Sequence, residues 1–148
     1  MKVLMKYAMA KRLRGYTQAA IPALREAVEL LDRGPGDQAL TLLEALDRLS
    51  MAETDARLQS DAVAHATRAL ALRKAKYGND SAEAVTGMVQ LALVHATLEN
   101  FGPGESLLHD AMRVAEKICG TECDASVEAR MAMDVLHDAQ QRAAAGRQ

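Results

Sequence analysis

The sequence predicts an all-α protein made of antiparallel helix pairs, and three observations carry that expectation. Apolar residues make up 49% of the 148 but aromatic ones only 3%, so a core must be assembled from Ala, Leu, Val and Met, which suits closely packed helices. Alanine is abundant, only three prolines occur and β-branched residues never form a run, so local preference is helical throughout. Finally, "EAVELLDRGPG", "RALALRKAKYG" and "DAMRVAEKICG" stand 42 residues apart with the same layout of small, apolar and glycine positions.

On that period Gly36, Gly78 and Gly120 share a column, as do Ala27, Ala69 and Ala111, then Val28, Leu70 and Met112, then Leu30, Leu72 and Val114. A small residue followed by a bulky one lets a helix approach its neighbour closely while its flank fills the core. The glycines are expected to end these helices in a left-handed conformation. A second set aligns Leu49, Leu91 and Met133, then Ala8, Ser50 and Ala92, then Met51, Leu93 and Val135. Each unit therefore holds two helices.

In order, the expected elements are an opening helix over about 2–14 and its partner over 17–33. Pairs follow near 37–56 with 60–77 and 81–99 with 104–119. A last helix is expected over about 123–142 and a ragged polar tail over about 143–148, giving about seven helices in one domain, 1–148, of about three and a half units. Asp37, Asp80 with Ser81, and Asp124 precede helices where a cap or a negative charge is favourable. "GPG" at 34–36 and again at 102–104 is read as a sharp break in the chain.

Charge is distributed unevenly. Residues 1–25 hold Lys2, Lys6, Lys11, Arg12, Arg14 and Arg25 and no acid, whereas residues 26–148 carry a net charge of −8. With Val3, Leu4, Tyr7 and Leu13 as apolar contacts, the basic start fits a solvated end helix, a mitochondrial import signal or a contact for an acidic partner. Nucleic acid is disfavoured by the acidic remainder and its lack of interleaved aromatics. No apolar run is long enough to cross a membrane.

"GYTQAAIPALREAV" at 15–28, "AVAHATRALALRKAKYGND" at 62–80 and "LALVHATLENFGPGESLLHDAMRVAEKICG" at 91–120 resemble tetratricopeptide repeats, in the 42-residue variety found in kinesin light chains. Gly15, Tyr16, Ala19, Ala20, Leu24 and Ala27 carry the likeness in the first stretch. HEAT units have a similar length, but the Gly-x-Tyr-x-x-Ala layout favours the tetratricopeptide reading. The resemblance implies a short right-handed solenoid whose first helices line a concave, partner-binding face. By the column rule that face takes Glu44, Asp47, Arg48 and Met51, then Thr86, Val89, Gln90 and Leu93, then Glu128, Met131, Ala132 and Val135. Met51, Leu93 and Val135 are more simply read as core. The Asn pair by which kinesin light chains clamp a peptide backbone is absent, its positions holding Val89 and Gln90, and one unit earlier Asp47 and Arg48. Asp134 stands where the family wants a small residue, as expected of a last helix with no further unit stacked on it.

Neither catalytic nor metal motifs emerge, and no cofactor is expected. His95 and His137 share a column with Glu53 and Lys11, but same-column residues on stacked helices lie roughly 10 Å apart, too far for one metal. His65 and His109 show no carboxylate at a convincing spacing, and H-E-x-x-H, a phosphate loop and a nucleophile elbow are all missing. Cys119 and Cys123 bracket the turn "CGTEC" within disulfide range, and reduced thiols are the favoured reading, as in cytosol or mitochondrial matrix. The resulting expectation is a non-catalytic, intracellular scaffold, cytoplasmic or mitochondrial. It is an accessory subunit of a large complex or, alternatively, a soluble adaptor gripping a peptide or helix.

Overall fold

Six helices run through residues 17–147, the part of the chain that the computed structural model describes. They are α1 (Thr17–Arg33), α2 (Ala39–Asp55), α3 (Gln59–Tyr77), α4 (Ala82–Thr97), α5 (Phe101–Cys119) and α6 (Asp124–Gly146), with no strand among the described residues. The opening helix expected over 2–14, with Lys2, Lys6, Lys11, Arg12 and Arg14, lies outside the described residues. The described residues fall into two compact units, divided between Ala69 and Leu70, inside α3.

In the first unit α1 packs on α2. Ala20, Ile21, Leu24, Ala27, Val28 and Leu31 of α1 are buried, a spacing that puts one apolar stripe along a helix. In the second unit α4 packs on α5, and α6 packs on both.

The 42-residue period reappears in burial and in backbone shape. On α2, Leu43, Leu46, Leu49, Ser50, Glu53 and Thr54 are buried; on α4, so are Val85, Met88, Leu91, Ala92, His95 and Ala96, each 42 positions on. Gly36, Gly78 and Gly120 all have positive φ, at 84°, 93° and 82°. Gly120, which ends α5, combines that φ with a ψ of −175°, an extended region that only glycine enters without strain. Arg57 and Glu99, also 42 residues apart, are a second such set, with φ of 62° and 59°. Leu58 N donates to Glu53 O and Asn100 N to His95 O, at 2.9 and 2.8 Å, so both α2 and α4 end in the same six-to-one turn closed by a left-handed residue. No glycine marks these turns, and the sequence reading missed them.

Two boundaries differ from expectation. "GPG" at 102–104 does not break the chain but lies in the first turn of α5, where backbone N–H groups have no helical partner and Pro103 therefore loses none. Gly104 serves packing: a Cβ there would come within 2.8 Å of Leu136 Cδ1 and 3.2 Å of the Ala92 carbonyl oxygen. At the other end, α6 continues to Gly146, so the supposed tail from 143 is mostly helix. Ser81 caps α4 as expected, its Oγ accepting from Ala84 N at 3.0 Å, whereas Asp37 stands one residue before the Gln38 N-cap of α2 and accepts from Ala39 N at 3.1 Å.

Candidate functional site

The strongest polar cluster lies in the first unit. Glu53, on α2, is wholly buried, yet both its oxygens are occupied: Arg25 of α1 donates to Oε1 from Nη2 at 3.2 Å, and Nδ1 of His65 on α3 lies 2.7 Å from Oε2. Arg25 Nη2 also donates to Asp61 of α3 at 2.9 Å. A buried carboxylate is tolerable only when paired and hydrogen-bonded, and here the pairing ties three helices together. Beside it a cleft of about 300 Å³ is lined by Arg25, Val28, Glu29, Leu49, Asp61 and His65. His65 thus has the carboxylate partner that sequence spacing denied it, because that partner comes from the preceding helix. The available signal was a polar residue, Glu53, in a column shared with His95 and His137 on helix faces that are otherwise apolar.

In that same column the other members behave differently. His95 is buried beneath the α4–α5 turn, with the Asn100 side-chain amide 3.1 Å from Nδ1, and burial pushes its pKa below the ordinary imidazole value. His137 is half exposed, its Nε2 lying 3.9 Å from a Glu105 carboxylate oxygen, with His109 Nε2 at 3.6 Å from the same atom. Among the described residues no group of three or more His, Cys, Asp or Glu is placed to hold a metal, and every buried side-chain nitrogen or oxygen has a hydrogen-bond partner.

The concave-face candidates divide. On α2, Arg48 donates to Glu44 across one helical turn, at 2.8 Å from Nη2, closing much of that stripe as an ion pair. Asp47 is half-buried, and Met51, favoured as core, is 48% exposed. In the second unit Thr86 Oγ1 donates to Glu128 Oε2 at 3.5 Å, joining α4 to α6 at equivalent positions of the period. On the same stripes Gln90 and Leu93 are half-buried, and Val135 is 51% exposed. Two candidates leave the face: Val89, 4% exposed, and Ala132 are in the core. Met131, the counterpart of Val89, is 62% exposed because it stands on the last helix of the described chain. The core reading of Met51 and Val135 is therefore corrected, since each projects from its helix on the side away from the packed stripe.

Cys119 and Cys123 are joined as a disulfide, with Cα atoms 5.9 Å apart, which overturns the reduced reading. The turn brings the end of α5 and the start of α6 within bonding reach, as the spacing allowed. Lys117 of α5 pairs with Asp80 before α4, and that hydrogen bond, reinforced by charge, holds the Asp80 carboxyl below its ordinary pKa. No helix among the described residues is long and apolar enough to cross a membrane. No known protein family matches the chain, and no curated protein is similar enough to count as a relative.

Proposed function

We propose that the chain is a tetratricopeptide-like helical-repeat scaffold that binds other proteins without catalysing a reaction, and that it serves as an accessory subunit of a larger complex. The single observation that carries this is the pattern on the first helix of each pair. Met51 on α2 and Val135 on α6 share one column of the 42-residue period and are both about half exposed, and the member between them, Leu93 on α4, is half-buried rather than part of the core. Large side chains left out of a core at a repeating position are usually there for a partner. The repeated burial pattern and paired turns support the repeat assignment; the inference from fold to binding is by analogy. The buried Glu53 cluster is read as an internal tie, because its carboxylate is fully engaged. A basic beginning on an acidic body keeps a mitochondrial address within the same reading, and proteins rather than nucleic acid as partners.

The test is the native size of the protein in an extract of its source, with mass spectrometry of the band. Co-migration with a defined assembly is expected, and the substitutions Met131→Asp with Val135→Asp should release the chain from it without changing its helical signal. Migration at the size of the single chain would instead support a free adaptor. An assembly that tolerates both substitutions would remove the exposed stripe from consideration.

A further inference from the structure

The Cys119–Cys123 disulfide joins two helix ends that need little help from it. Gly120 N donates to Glu116 O at 3.0 Å, Ser126 Oγ donates to Gly120 O at 2.6 Å, Val127 N donates to Cys123 O at 3.0 Å, and the Arg130 guanidinium donates to Thr121 O. These bonds, with the positive φ of Gly120, already set the path from α5 into α6. The cross-link closes a separation of only four residues, where the entropy removed from the unfolded chain is least. Cys119 is exposed and Cys123 partly so, whereas a bond kept for stability is normally shielded from thiols. The two sulfurs are also unequal: Cys119 is the last residue of α5, and Cys123 is the N-cap of the 23-residue α6. Negative charge is disfavoured at a helix C-terminus and favoured at an N-terminus, though Glu122 and Asp124 beside Cys123 offset part of that gain.

We propose that Cys119 and Cys123 form a reversible thiol–disulfide exchange site, which takes electrons from a dithiol, small or protein-borne, while α5 and α6 stay folded. In the first step a thiolate of the dithiol bonds to Sγ of Cys119, the more exposed of the two residues, the Cys119–Cys123 bond breaks, and its electron pair leaves on Cys123 Sγ at the positive end of α6. The second thiolate of the dithiol then attacks its own sulfur in the mixed disulfide, which releases Cys119 as a thiolate. Both thiolates take up the two protons that the dithiol gave up. The dithiol becomes a disulfide, and two electrons pass to the chain. This site stands independently of the scaffold reading, since it needs no partner on the exposed stripe.

Purified full-length protein treated with dithiothreitol, followed by alkylation and intact mass, tests it. The native protein should be reduced within about tenfold of the rate seen in denaturing urea. Its helical circular dichroism should be unchanged, and oxidised glutathione should restore the bond once the dithiol is removed. With single variants, Cys119→Ser, which leaves Cys123, should form a mixed disulfide with oxidised glutathione, releasing one reduced glutathione, faster than Cys123→Ser. Native reduction more than about tenfold slower than in urea would overturn the proposal. So would loss of helix on reduction or in the double Cys→Ser variant, and so would two thiols that oxidised glutathione fails to join.

Discussion

Glu53 shows how much a single buried charge is constrained by its neighbours. It is inaccessible to water, while Arg25 and His65 remain 45% and 26% exposed on their side chains. Removing the carboxylate therefore leaves two groups that can return to solvent, so the loss should fall below the 3–5 kcal/mol typical of a buried pair broken on one side. Glu53→Ala is expected to cost about 2–3 kcal/mol from lost charged hydrogen bonds and a cavity. Glu53→Leu fills the space without a charge to desolvate and should fall within about 1 kcal/mol of wild type. Urea unfolding of both variants checks this, and equal losses would mean that the polar tie, rather than volume, holds α1, α2 and α3 together at this point.

Helix ends give the second scale. Glu99 closes α4 in a left-handed conformation, at φ 59°, that a side chain resists. Among the described residues its carboxylate pairs with the exposed Arg147, at 3.3 Å, a contact worth little. Glu99→Gly should then stabilise the second unit by about 0.5–1 kcal/mol, read as a higher urea midpoint with an unchanged slope. Just before that turn, His95 couples α4 to pH. Burial lowers its pKa below the ordinary 6.5, so the folded state favours the neutral ring and the unfolded state binds the extra proton. The penalty is absent above about pH 7 and grows as pH falls through 6.5 towards the depressed folded value. In His95→Gln the part of the acid-side fall due to this ring should vanish, so the stability difference between variant and wild type must change below pH 6.5. A difference constant from pH 8 to 5 would show that the ring charges as easily folded as unfolded.

Across the chain, what was legible in the sequence was whatever repeats: helix bounds within a few residues, the glycines of positive φ, and the packed columns Leu49, Leu91 and Met133 or Ala27, Ala69 and Ala111, all buried. Contacts made once were hidden. Glu53 meets His65 by a chain reversal rather than a spacing along one helix, and Gly104 yields to Leu136 from a helix that begins 20 residues later. "GPG" misled because the same letters mean a stop after a helix and are harmless in its first turn. Exposure was misjudged at Val89 and Ala132, placed on the open face but buried, and at Met51 and Val135, read as core but about half exposed. α6 supplies core to the second unit, with Ala129, Met133 and Leu136 buried, while the exposed Asp134 and Asp138 stand 42 residues on from buried Ala92 and Ala96. Deleting 121–148 should thus uncover the apolar side of α4 and α5. Losing the burial of Leu136 and Met133 alone forfeits about 3–6 kcal/mol, comparable with the whole stability of a small unit. The shortened chain should lose more helical signal than the deleted residues account for and show no cooperative second-unit transition in urea. Deleting 143–148, which is mostly exposed, should leave that transition in place. If removal of α6 also leaves it unchanged, the core of the second unit is complete without its last helix.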